Sequence, residues 1–227
     1  MQFLEHSFIG LRAARHALTH PERDVTITLF PMVHLGEPAF YKTVYEDASR
    51  YDAVLLEGVT SRVVRRLTRA YRWAAPERLG LTVQPKFKAD ATRVIHADLS
   101  GSDFDALWRA APRVERWLFE GAATLIGLWL RITATRDTLA RGLCTNDLSE
   151  RDDILIWSQR RAPILTALKD ARDKVLCQRL ADLMSEQPGP ATIAVIYGAG
   201  HFPALVRSLD ADGFRVSQSQ WLTVFEL

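Results

Sequence analysis

The chain has 227 residues, 48% of them hydrophobic and 25% charged, with 29 Lys and Arg against 27 Asp and Glu. That length can bury a sizeable core, and the composition is that of a globular protein rather than a disordered or fibrous one. A formal net charge of +2 lacks the strongly basic face of a dedicated nucleic-acid binder.

The first twenty residues, "MQFLEHSFIGLRAARHALTH", predict an amphipathic helix; Glu5 and His6 break any apolar core of a secretory signal. "VTITLFPMV" (25–33) predicts a strand by its β-branched and aromatic content. Pro38 suits the first turn of the helix that follows. "AVLLEG" (53–58) is a short continuous apolar run, the pattern of a strand covered on both faces. Residues 61–75 predict a helix with Val63, Val64, Leu67, Ala70 and Tyr71 on its apolar side and the arginines 62, 65, 66, 69 and 72 as a solvated stripe.

"TRVIHADLS" (92–100) predicts a third strand, and helices are expected over 103–110 and 113–141. Within the second, "GAATLIGLWL" (121–130) is the longest apolar run. It falls well short of the roughly 20 residues a membrane span needs, so it is expected to face the core or a second copy of the chain rather than a membrane surface. "NDLSERDDILIW" opens another helix with Ser149 as its cap. The pattern resumes after Pro163 to about Met184, and "EQPGP" (186–190) is the clearest linker. A strand (191–197), a helix in "PALVRSL" and one or two closing strands complete the chain. The expectation is one α/β domain spanning 1–227: a central mixed or mostly parallel sheet flanked by helices, with a helical insertion over about 103–186.

Ligands of open α/β sheets bind beyond the carboxyl ends of the strands. The four predicted strands are followed by His34, by Glu57, by His96 and Asp98, and by His201. A histidine or carboxylate at each of four strand ends carries more information than any one of them. His34 and His201 also precede helix-opening prolines, Pro38 and Pro203. Gly198 and Gly200 beside His201 offer positive φ and a close backbone approach. Glu57 directly follows Leu55 and Leu56, where a carboxylate is costly unless paired or ligating. Arg151 stands in a first helical turn that favours acids, which suits a cation set against a carboxylate or an anionic ligand group. Cys144 and Cys177 form no CxxC pair and indicate free thiols in a reducing, cytoplasmic setting.

The segments "VHLGEPAFYKTVYEDASRYDAVLLEGV", "HADLS", "LSERDDILIW" and "VIYGAGHFPAL" resemble the TraB/TIKI-like (pheromone-shutdown) family, within the erythromycin-esterase-like and ChaN-like superfamily, over about 27–210. The resemblance implies a mixed α/β domain with a helical insertion and a metal-dependent peptidase or related hydrolase. Its Gly-x-x-His motif falls on Gly198 to His201 and, with proline in place of glycine, on Pro31 to His34; its glutamate falls on Glu57 and its arginine on Arg151.

The resulting expectation is a metal-dependent hydrolase acting on an amide or ester bond of a peptide or small molecule. His34, Glu57 and His201 would hold Zn, Mn or Co with Asp98 as a fourth ligand, and the metal would lower the pKa of a bound water. Glu57 is the alternative general base. Arg151, with Gly198 and Gly200, would receive the substrate or its oxyanion. The alternative is a non-catalytic binder of haem or a small ligand, with Tyr41, Tyr45 or a histidine on the iron, or a regulatory protein using the basic and apolar helices.

Overall fold

The computed structural model describes residues 1–88, 92–144, 163–186 and 189–227. Seven strands form one mixed sheet: β1 (Leu4–His6), β2 (Gly10–Thr19), β3 (Val25–Met32), β5 (Ala53–Leu56), β7 (Arg93–His96), β8 (Ala191–Gly198) and β9 (Arg215–Glu226). Two short strands, β4 (Leu35–Gly36) and β6 (Thr82–Val83), pair separately. The strands β3, β8, β5 and β7 lie side by side and parallel, in that order. β2 runs antiparallel to its neighbours, with β9 along one flank and β1 and then β3 along the other.

The central strands are apolar on both faces, as a parallel sheet covered on both sides requires. Ile27, Leu29, Val54, Leu55, Ile193 and Val195 are fully buried. Helices α1 (Pro38–Ala48) and α8 (Phe202–Ala211) add Phe40, Val44, Leu205 and Leu209 to this core. Between β7 and β8 the described residues carry four helices: α4 (Gly101–Ala110), α5 (Arg113–Thr133), α6 (Arg136–Cys144) and α7 (Pro163–Glu186). A second apolar cluster of Phe104, Trp108, Ile164 and Leu168 joins α4 to α7, and Val63, Val64, Leu67 and Phe119 pack against it.

Several local expectations are corrected. The N-terminal segment forms β1 and β2 rather than a helix. Its alanines and arginines favour helix in isolation, but Leu11, Ala13, Ala14 and Leu18 are buried by pairing on both flanks, and tertiary context overrides propensity. The helix expected over 61–75 is two short ones, α2 (Arg62–Leu67) and α3 (Arg69–Trp73), with Ser61 accepting from Val63 N and Val64 N as the cap. The helix expected over 113–141 divides into α5 and α6, because Ala134 leaves the helical region. The apolar run 121–130 is not buried as a whole: Leu125, Ile126, Leu128 and Trp129 are exposed. Residues 215–226 form a single strand. Ser149 and Arg151 lie outside the described residues. Among the described residues no helix is long and apolar enough to cross a membrane.

Candidate functional site at the strand ends

Parallel pairing sets four strand ends at one rim. Met32 is level with Gly198, and Leu56 is level with both Ile196 and His96. The next residues along, His34, Glu57, Asp98 and His201, therefore leave the sheet on the same side, as the strand-end pattern predicts.

Glu57 anchors the group. Its N–H donates to Ile196 O at 3.1 Å, continuing the β5–β8 ladder. Oε2 accepts from Gly198 N at 2.5 Å and Oε1 from Arg172 Nη2 at 2.5 Å. Burial works against its charge, but Arg172, His201 and His34 outweigh it and hold the carboxyl at about 2. Gly198 is needed for this approach: a Cβ there would lie 3.0 Å from Glu57 Oε2 and 3.6 Å from His201 Cδ2. Its φ of −56° is ordinary and Gly200 is not among the glycines with positive φ, so the motif supplies space rather than an unusual backbone.

Arg172 comes from α7. It donates through Nε to Asp98 Oδ1 at 2.9 Å and through Nη2 to Asp98 Oδ2 at 2.8 Å, a bidentate pair. Asp98 also accepts from Leu99 N and Gly58 N, so both its oxygens are occupied twice. The guanidinium lies 5.7 Å from the centre of the Tyr197 ring. Burial disfavours the arginine's charge, and its bonds to Asp98 and its proximity to Glu57 more than restore it.

His201 opens α8, and its Nδ1 is 2.5 Å from Asp173 Oδ1. Asp173 Oδ2 accepts from Lys169 Nζ at 2.8 Å. Burial would raise the Asp173 carboxyl, yet these partners bring it below its ordinary value. With Asp173 as acceptor the ring proton sits on Nδ1 and Nε2 is left as a base. Tyr197 packs edge-on to His201 with centroids 4.9 Å apart. Its hydroxyl is buried near Asp98, but no hydrogen bond of ordinary geometry reaches it among the described residues.

His34 packs against Tyr71, ring centres 4.8 Å apart and tilted by 45°, and lines a cleft of ≈ 260 Å³ with Leu67, Thr68, Tyr71, Ala123, Ile126 and Leu130. The cleft is apolar apart from His34, Thr68 and the Tyr71 hydroxyl. Its position links the second helical cluster to the rim. Tyr41 and Tyr45, the tyrosines a haem reading would use, donate instead to Val33 O and Pro85 O.

Arg172, Asp173, Tyr71 and Tyr197 were not legible as site residues. One signal was present. Ile164, Leu168, Leu176 and Leu180 form the buried row of α7, and Arg172 stands in that row at the i+4 spacing. A charged residue in a buried row has to meet a partner.

No family model, no curated protein and no solved structure matches the chain. Among the described residues no three His, Cys, Asp or Glu side chains converge as a metal site. The guanidinium of Arg172 takes the place between Glu57 and Asp98 that a cation shared by these carboxylates would occupy. As arranged, the four expected ligands do not fit a common metal.

Proposed function

We propose that the chain is a hydrolase of an amide or ester bond, with His201 as its general base. The observation that carries this reading is the 2.5 Å contact of His201 Nδ1 with Asp173 Oδ1, at the rim where Glu57 and Arg172 also meet. An imidazole oriented by a carboxylate through one nitrogen takes a proton through the other. Water is the nucleophile in this reading. Glu57 supplies fixed negative charge that stabilises an imidazolium at His201, and Arg172 positions Glu57. The apolar cleft beside His34 suits an apolar portion of a peptide or small-molecule substrate. Arg151 remains the proposed partner of its anionic part, and the resemblance to the TraB/TIKI-like family agrees with a hydrolase. The cytoplasmic setting is proposed from the sequence, in which the two cysteines form no CxxC pair.

The test is a screen of chromogenic esters and peptides with the wild-type chain and His201→Ala. Turnover that disappears in a folded His201→Ala supports the assignment; turnover that survives overturns it, as does a wild-type chain inert across the panel.

A second reading, the divalent cation, has one observation in its favour. Among the described residues the arginine and lysine partners of the three carboxylates Glu57, Asp98 and Asp173 are Arg172 and Lys169, with His201 beside them. The surplus negative charge favours a cationic guest, which would have to displace Arg172. Elemental analysis of the wild type beside a His34→Ala, His201→Ala double variant separates the readings. Metal lost in the double variant supports a metal centre, and equal content in both removes it.

A further inference from the structure

Helix α5 turns an apolar face outward along its whole length. Val114, Leu118, Leu125, Leu128 and Ile132 follow one stripe, flanked by Trp117 and Trp129. Ile132 is 80% exposed, Trp117 76% and Trp129 61%. Large aromatic and aliphatic residues at such exposure mark a surface that meets something else. The opposite side of α5 packs against α2 and α3.

The same part of the molecule gathers positive charge. Residues 62–79 and 113–133 hold nine arginines and no lysine against three glutamates, a local +6 in a chain whose net charge is +2. The Arg66–Glu120 ion pair fixes the arginine-bearing α2 beside α5. Arg62, Arg65, Arg69 and Arg72 are exposed, and among the described residues no ion pair engages them.

We infer that α5 lies in the plane of an anionic lipid surface, its outward face immersed, with the arginines of α2 and α3 on the layer behind it drawn by the negative surface potential. A helix with tryptophans and aliphatics on one face and arginine-rich neighbours has the make-up of an interfacial anchor. Charge complementarity selects this occupant. A second copy docked face to face would bring two +6 regions together, whereas an anionic bilayer neutralises them. The aliphatic stripe contains no basic residue, which disfavours nucleic acid, since that partner needs cations along the contact.

Vesicle flotation tests the inference, using phosphatidylcholine alone and a mixture with phosphatidylglycerol. The wild-type chain floats with the anionic vesicles and releases as salt is raised. Arg65→Glu with Arg69→Glu weakens binding roughly tenfold or more. Leu125→Asp with Trp129→Asp abolishes it, with circular dichroism unchanged because both sites are on the surface. Four results overturn the inference. Two are failure of the wild type to float at low salt and equal flotation of the variants. Another is a dimer in light scattering that the Leu125→Asp, Trp129→Asp variant dissociates, which assigns the face to a second copy. The fourth is protection of Trp117 and Trp129 from hydroxyl-radical labelling in the lipid-free monomer, which means the chain covers the face itself.

Discussion

Asp98 holds Arg172 through two parallel hydrogen bonds, Nε to Oδ1 at 2.9 Å and Nη2 to Oδ2 at 2.8 Å. The same Nη2 reaches Glu57, so one guanidinium ties the ends of β5 and β7 to α7. Arg172→Met leaves two enclosed carboxylates without their cation, a loss of about 3–5 kcal/mol. Arg172→Lys keeps the charge but not the fork and falls between that variant and the wild type. Urea denaturation of both variants measures the order. Combining Arg172→Met with Glu57→Gln and Asp98→Asn recovers part of the loss, because the uncompensated charge is gone.

Stability should fall with acid in a defined window. The Glu57 carboxyl is held at about 2, against 4.5 for an ordinary glutamate, and Asp173 also lies below its ordinary value. Both groups bind protons more weakly in the folded chain. Their contribution is therefore complete above the ordinary carboxylate range and is lost as pH falls from about 4.5 toward about 2. Glu57→Gln flattens that part of the curve. Denaturant midpoints followed across the acid range show whether the slope changes.

Asp173→Asn separates orientation from packing. The amide is the same size but does not hold the His201 proton on Nδ1 as a carboxylate does. Any hydrolytic turnover falls by roughly 100-fold or more, while stability falls by about 1–3 kcal/mol. Steady-state kinetics and thermal melts on the same preparation read the two effects.

Tyr197→Phe should leave stability unchanged or raise it slightly. The hydroxyl is buried with no hydrogen bond of ordinary geometry among the described residues, so removing it relieves a desolvated group. The ring contact with His201 is kept. A melting temperature lowered by several degrees would mean that the hydroxyl has a partner.

Gly198→Ala carries no backbone penalty, since φ −56° and ψ 132° suit alanine. Its Cβ presses on Glu57 Oε2 at 3.0 Å and makes ordinary contact with His201 Cδ2 at 3.6 Å. The expected cost is about 1–3 kcal/mol, with a larger proportional loss of turnover as Glu57 is displaced. Parallel measurements on Gly189→Ala, where an added Cβ meets nothing within 4 Å, give the baseline.

The central sheet was legible because its strands are continuous apolar runs, and the strand-end rule then placed His34, Glu57, Asp98 and His201 at one rim. The N-terminal strands were not legible, since "GLRAARHALT" owes its extended form to pairing on both flanks, one of them with β9 at the far end of the chain. Arg172 and Asp173 were hidden for a related reason. On α7 they read as part of an ordinary charged helix, and only the placement of α7 against β5, β7 and α8 gives them Glu57, Asp98 and His201 as partners. Of the two properties expected of Gly198 and Gly200, positive φ is absent from both, and the close approach is found at Gly198, where Glu57 occupies the space a methyl group would need.

The pairing of β2 with β9 has a consequence for how the sheet is completed. The two partners are separated by roughly 200 residues, and closing so distant a contact is slow. Until the closing strand docks, one flank of β2 presents bare N–H and C=O groups, a template on which a strand from a neighbouring molecule could be laid. A chain trimmed by its last dozen residues should therefore aggregate rather than merely lose a little stability.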